Sequence, residues 1–199
     1  MRKIIGIFAL ALGFMACEND VKFSDPGMHA TMTVDAIIDS TRINGNPYSQ
    51  FAEYKPQSFT AYVVNDKTLI IDAKTDSTQL RIYLPDYEFG AKYEFNATDN
   101  IKADYLVSND FGNITSAYAT DAMGMSDNKP VNRPGYVILD PADKQVPGTI
   151  SGTFVINMNA SKLPEDVLDP VNGKKIKRFV DRKAFDSGVF YRIPLERGE

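Results

Sequence analysis

GTISGTFVINM, residues 148–158, is the stretch that decides the fold of this chain of 199 residues. Alternate side chains of an extended segment point to the same side. In this segment the alternate positions are apolar or glycine: Ile150, Gly152, Phe154, Ile156 and Met158. The positions between them are mostly polar. This period of two predicts a strand with one buried face.

The same alternation marks other parts of the chain as strands. From Met28 to Ile38 it places six residues on one face, Met28, Ala30, Met32, Val34, Ala36 and Ile38. In Gln79–Leu84 it does so for Leu80, Ile82 and Leu84. Short apolar runs between turn residues predict further strands: Phe59–Val64, Lys67–Ala73, Gly90–Phe95, Ala103–Val107, Asn113–Ala119, Gly135–Leu139, Lys175–Val180 and Val189–Leu195. We expect the last two to pair as a hairpin.

These segments predict an all-β fold, an antiparallel β-sandwich or barrel-like sheet of about nine or ten strands. A single β-sandwich domain is expected over residues 28–199, since no repeat or second unit interrupts the pattern. Ser161–Leu168 is expected to form a short helical turn with Ser161 as its N-cap. The polar stretch Thr120–Pro134 exceeds the usual length of a connection. We predict that this loop is the binding element, because recognition residues concentrate on loops of a rigid scaffold. A disordered insertion with no role is the alternative.

The N-terminal residues carry the strongest signal for location. Two basic residues precede an uncharged apolar run, and the chain's only cysteine, Cys17, follows the small residue Ala16. The run of about a dozen residues is too short for a membrane-spanning helix, which needs roughly 20. The order resembles a bacterial lipoprotein signal, so we predict a signal peptide over residues 1–16, lipidation at Cys17 and a tether over residues 17–27. A plain cleaved signal with an incidental cysteine is the alternative.

Lipidation at Cys17 determines the expected compartment. Two or more acyl chains, such as palmitate, hold a protein stably on a bilayer. We therefore expect a protein anchored in the cell outer membrane, on the periplasmic face or the cell surface. Removing Arg2 and Lys3 from the 22 basic residues leaves 20 against 26 acidic, a net charge near −6. This balance argues against nucleic acid as a partner, because binding to phosphates needs a basic face.

The sequence offers little for catalysis. His29 is the only histidine, so a two-histidine zinc motif is impossible and a serine triad would depend on this one strand residue. Two loops are rich in oxygen ligands, the first at Asp140 and Asp143 and the second at Asp166, Asp169 and Asn172. Neither has the spacing of an EF-hand, and both are typical of turns. We predict no catalytic, cofactor-binding or metal-binding residue and no enzyme activity.

Short motifs spread over most of the mature chain carry a family resemblance. They are Ile43–Tyr48, Gly90–Tyr93, Gly135–Asp140, Gly148–Phe154 and Asp186–Phe190. Together they resemble a family of small Bacteroidota lipoproteins of unknown function. The resemblance implies a β-sandwich behind a lipobox and supplies no catalytic residue. It also draws attention to Ser40 and Ser77, whose surroundings resemble the short O-glycosylation sequon of that phylum.

The expected function is a non-catalytic binding or structural role at the outer membrane, with a glycan or an envelope protein as the partner. One alternative is a glycan-binding accessory protein of a polysaccharide-uptake system, which would expose a cluster of coplanar tyrosines and phenylalanines. Another is a hydrolase, which would need two carboxylates facing each other across about 5–10 Å. The sequence leaves the oligomeric state open.

Overall fold

The computed structural model describes residues 26–34, 50–96, 98–124, 128–162, 167–168, 175–176 and 182–197. Thirteen strands lie within these ranges: β1 (Gly27–Val34), β2 (Gln50–Tyr54), β3 (Ser58–Val64), β4 (Thr68–Lys74), β5 (Thr78–Leu84), β6 (Lys92–Glu94), β7 (Lys102–Ser108), β8 (Ile114–Ala119), β9 (Gly135–Leu139), β10 (Thr149–Lys162), β11 (Val167–Leu168), β12 (Lys175–Ile176) and β13 (Arg182–Arg197). A 3₁₀ turn, Ala142–Lys144, precedes β10. Within the described ranges, no helix is long and apolar enough to cross a bilayer.

Eleven of the described strands form one mixed, mostly antiparallel sheet in the order β2-β1-β13-β3-β4-β5-β7-β8-β10-β9-β6. The end of β13 runs parallel to β3, with Leu195 beside Ala61. The earlier part of β13 also pairs with β10, from Arg182 opposite Asn159 to Pro194 opposite Thr149. The sheet therefore curls strongly, although the described residues do not make a barrel. β11 and β12 form a separate two-stranded sheet.

The all-β prediction is confirmed, and most predicted strands lie where expected. The hairpin between Lys175–Val180 and Val189–Leu195 is wrong, because β12 pairs with β11 while β13 pairs with β1, β10 and β3. The predicted helical turn Ser161–Leu168 is also wrong at its first two residues. Ser161 and Lys162 continue β10, since Lys162 pairs with Ala117 of β8 and the Ser161 hydroxyl donates to the Ala117 carbonyl at 3.3 Å. Pairing with a neighbouring strand thus replaces the local cap.

The inner face of the curled sheet buries the apolar positions that alternation predicts. Fully buried apolar residues of β5 and β10 at the predicted positions include Leu80, Ile82, Leu84, Ile150, Ile156 and Met158. In β1, Met28 and Ala30 are buried and Met32 is half-buried. Positions 35–38 of that predicted strand lie outside the described residues. Burial of this continuous apolar face is the main favourable contribution to folding.

A reciprocal interlock joins β10 to β13 in the middle of the core. Gly152 lies opposite Phe190, and Phe154 lies opposite Gly188. The two rings stack with their centroids 6.3 Å apart and their planes at 25°. A Cβ atom on Gly152 would lie 2.5 Å from the Phe190 ring and 2.2 Å from the Ile138 carbonyl oxygen. Each glycine therefore leaves the space that the other strand's ring fills.

Candidate functional site

Several predicted features lie outside the described residues. They are the signal peptide over residues 1–16, Cys17 with the tether as far as residue 25, Ser40 with its sequon, and the oxygen-rich loop of Asp166, Asp169 and Asn172. Lipidation at Cys17 therefore stays a prediction. Among the described residues, no group of three or more His, Cys, Asp or Glu side chains is arranged to hold a metal ion.

His29 lies on β1 between the buried residues Met28 and Ala30, so its side chain is on the face away from the core. It is half-buried. Loss of solvent lowers the pKa of His29; Glu53 on β2 opposes this shift and Lys55 adds to it. The neutral imidazole is therefore favoured in the folded state.

Ser77 occupies the exposed turn between β4 and β5. The backbone N–H of Ser77 donates to the Thr75 hydroxyl at 3.3 Å, and its carbonyl accepts from Ser108 at 2.7 Å. The Ser77 side chain is exposed. A modifying enzyme therefore has access to this sequon, and its modification stays a prediction.

A row of charges, which we call the charged row, crosses the outer face of the sheet: Asp72 on β4, Arg81 on β5 and Asp104 on β7 are direct cross-strand partners. Asp72 is almost fully buried, and Gln79 Nε2 donates to both of its carboxylate oxygens at 2.8 and 2.9 Å. Arg81 Nε lies 3.4 Å from Asp72 Oδ2. Buried carboxylates are stable only with such partners, so this part of the row is a satisfied network.

The environment of Asp104, on the other side of the charged row, differs from that of Asp72. Loss of solvent raises the pKa of Asp104, and Asp121 raises it further, while Lys102, Tyr83 and Arg81 oppose the shift. Two strand spacings, about 10 Å, separate Asp72 from Asp104 in the sheet. Arg81 stands between them, so the two carboxylates do not face each other across an open space as a hydrolase needs.

The raised pKa of Asp104 predicts how the stability of the fold depends on pH. A carboxyl whose folded pKa is raised stabilises the fold below its unfolded pKa of about 4 and loses that contribution as the pH rises through the folded pKa. Asp104→Asn is therefore expected to gain stability relative to the wild type as the pH rises above about 4, by less than about 1 kcal/mol after solvent screening. Urea unfolding at several pH values measures it. Asp110→Asn, on an exposed turn, is the matched control, and equal pH slopes for all three proteins would contradict the argument.

Tyrosines lie next to the charged row on the same outer face. Tyr62 on β3 and Tyr83 on β5 flank Ile70 on β4, and Tyr83 pairs in turn with Lys102 on β7. Lys102 Nζ lies 5.3 Å from the centroid of the Tyr83 ring. The two tyrosines are half-buried. The arrangement combines ring faces with charged hydrogen-bonding groups, and sequence analysis did not identify it.

The long loop Thr120–Pro134 is fixed to β10 by two asparagines. The buried Asn159 donates from Nδ2 to the carbonyls of Ala122 and Lys129, both at 3.0 Å. Asn157 donates from its side chain to the Arg133 carbonyl at 3.0 Å. Met123 lies between these supports and is 57% exposed. The described parts of the loop, residues 120–124 and 128–134, are therefore held in place by the sheet.

A family defined as a domain of unknown function, DUF6252, matches residues 41–194. The chain belongs to this family. The resemblance noted in the sequence is thereby confirmed as far as a family of unknown function, and the match says nothing of a taxon or a lipobox. Searches of curated proteins and of solved structures give no match to this DUF6252 chain.

Within the DUF6252 domain, the motif Ile43–Tyr48 lies outside the described residues, and three of the other motifs contain packing elements. Gly148–Phe154 and Asp186–Phe190 contain the interlocked glycines and phenylalanines of β10 and β13. Gly135 has a φ of 105°, and a Cβ atom there would lie 2.0 Å from the Val155 carbonyl oxygen. Only glycine fits such a position without strain. These three motifs therefore contribute to the packing of the sheet.

Proposed function

We propose that this DUF6252 protein is anchored in the outer membrane by lipid on Cys17 and has a non-catalytic binding role, exercised through the loop Thr120–Pro134. The anchor is supported by the order of basic residues, apolar run, Ala16 and Cys17. The domain then works on the periplasmic face or the cell surface, and the lipid is its link to the membrane.

One observation carries the binding role: a buried side chain is used to hold an exposed loop. Asn159 is fully buried, and its amide donates to two loop carbonyls. A buried amide has a cost unless its hydrogen bonds are made, so the loop is part of the folded structure. It presents the flexible, polarizable side chain of Met123 to solvent, and methionine is common at surfaces that bind partners.

The anchor is tested by replacing Cys17. Cys17→Ala is expected to move the protein from the membrane fraction to the soluble fraction, because stable anchoring needs two or more acyl chains. Cell fractionation with metabolic labelling by palmitate measures both partition and acylation. If the variant stays with the membranes as the wild type does, the anchor lies elsewhere and this part of the proposal fails.

The binding loop is tested by a point change that leaves the Asn159 hydrogen bonds intact. Shortening the loop would remove the carbonyls to which the buried Asn159 amide donates. A loss of binding after such a deletion could then result from lost stability. Met123→Ser is expected to lower capture of the partner from cell-envelope extract at least tenfold, a cost of about 1.4 kcal/mol, at unchanged thermal midpoint. Phe51→Ser, an equally exposed apolar position on β2, is the matched control. Equal capture by wild type and Met123→Ser removes the loop as the binding element.

A second candidate function, glycan binding, is favoured by the outer face that carries Tyr62 and Tyr83. Sugar rings would stack on the faces of the two tyrosines. The neighbouring charged row would supply charged groups for hydrogen bonds to the sugar hydroxyls. A glycan array discriminates the two candidates. Binding that is lost in Tyr62→Ala and Tyr83→Ala and kept in Met123→Ser supports the glycan reading. The hydrolase alternative has no comparable support, since Arg81 separates the carboxylates of the charged row.

A further inference from the structure

Three loops at one end of the sheet are joined in a hydrogen-bonded ring. The N–H of Tyr87, in the loop after β5, donates to the carbonyl of Lys67 in the β3–β4 turn at 3.3 Å. The N–H of Gly90, in the same loop, donates to the Leu139 carbonyl at the end of β9 at 3.1 Å. The Leu195 N–H donates to the carbonyl of Gly148, in the loop before β10, at 2.9 Å. These bonds hold the three loops in fixed relative positions.

The chain enters the sheet from this same end. Leu195 of β13 pairs with Ala61 of β3, which closes the ring. β1 begins at Gly27, opposite Tyr191, and runs antiparallel to β13 toward the other end of the sheet. The first described residues, Pro26 and Gly27, therefore lie on the side of the loop ring.

Each loop of the ring exposes an apolar side chain. Val64, at the end of β3, and Phe89, in the loop after β5, are each 37% exposed, and Val146, in the loop before β10, is 38% exposed. We call these three side chains the tether-end surface. Tyr87 packs edge-on against Phe89 with the ring centroids 5.9 Å apart, which fixes the orientation of the Phe89 ring.

Ionised groups around the tether-end surface are mainly acidic. Lys67 lies 3.9 Å from Asp86, so this lysine is paired within the ring. Asp66 and Glu88 are exposed beside it. Such a surface gains nothing from anionic headgroups, and its favourable contact is apolar burial. Its chemistry fits a zwitterionic lipid interface.

The length of chain before Gly27 decides what covers this surface. Ten peptide units from Cys17 to Gly27 reach at most about 35 Å, and a flexible chain of that length averages about 17 Å. A tether this short makes contact between domain and bilayer an intramolecular event with an effective concentration in the millimolar range. A weak apolar contact is then sufficient to orient the domain.

We propose that the tether-end surface rests on the bilayer that holds Cys17, with Val64, Phe89 and Val146 inserted at the headgroup boundary. This inference rests on the proposed lipidation of Cys17. The domain then stands on its loop ring, and the opposite end of the sheet faces away from the membrane. The β7–β8 turn, where Phe111 is 89% exposed, is at that far end.

The test uses the full lipidated protein reconstituted in phosphatidylcholine vesicles. Phe89→Cys and Val146→Cys are labelled with an environment-sensitive fluorophore, and Phe111→Cys at the far end is the matched control. Labelling is specific because the only native cysteine, Cys17, is acylated. The same three variants without lipid, made as Cys17→Ala, give the reference spectra in the presence of vesicles.

Blue-shifted emission at positions 89 and 146, quenching there by brominated lipid, and an unchanged spectrum at position 111 are the expected result. Protein that floats with the vesicles but emits as in water at positions 89 and 146 overturns this inference and leaves the anchor standing. Protein that does not float overturns both. If either cysteine variant lowers the thermal midpoint, Val64→Cys replaces it on the same surface.

Discussion

Gly152→Ala is expected to lower the free energy of unfolding by about 3 kcal/mol, the upper part of the usual range for overpacking a core. The added methyl group would lie 2.2 Å from the Ile138 carbonyl oxygen and 2.5 Å from the Phe190 ring. The ring can turn only against its stacked partner, and the carbonyl belongs to the β9–β10 pair. Neither neighbour has free space, so the backbone of β10 must shift.

Urea unfolding of the chain from Phe23 onward, which we expect to be one cooperative transition, measures the effect. Thr153→Ala is the matched control, because Thr153 is next along β10 and its side chain is exposed. Its expected change is within about 0.5 kcal/mol. A Gly152→Ala variant as stable as this control would show that the interlock of β10 with β13 is looser than described.

Phe154→Ala is expected to cost about 4 kcal/mol, the usual loss for truncating a fully buried phenylalanine. Phe154 is 1% exposed, stacks on Phe190 and covers Gly188. Its removal opens a cavity between β10 and β13, because a glycine opposite it offers no side chain to fill the space. Phe111→Ala is the control, since that ring is 89% exposed and its loss is expected to leave the midpoint unchanged. Equal midpoints for the two variants would place Phe154 outside the core.

Alternation along the chain predicts where strands lie but says little about their partners. Gly135–Leu139 was predicted with its observed bounds, and the buried faces of β5 and β10 were predicted residue by residue. The short strand β2 was missed because Tyr54 is its one described buried residue, while Phe51, 60% exposed, breaks the pattern. The partners of β13 depend on contacts far apart in sequence, and no local pattern encodes those.

The candidate site was predictable only in part. The length and polarity of Thr120–Pro134 predicted a loop that binds a partner. The sequence around Asn157 and Asn159 does not indicate that these two side chains donate hydrogen bonds to that loop. The charged row has a visible signal, since Asp72, Arg81 and Asp104 are the outward positions of three predicted strands. Their alignment across strands requires the register, and register is set by turns and burial together.

The pairing of β13 with three other strands sets an order of events during synthesis. β13 contacts β1, β3 and β10, so strands from the first third and the last third of the chain depend on residues 182–197. At about 5–20 residues per second, synthesis completes this strand last. Until then β1 and β10 lack this partner, although β3, β4, β5, β7 and β8 can already pair with one another. The many distant contacts of β13 slow the final closure. A chain of this topology therefore reaches its closed sheet only after residues 182–197 have been made.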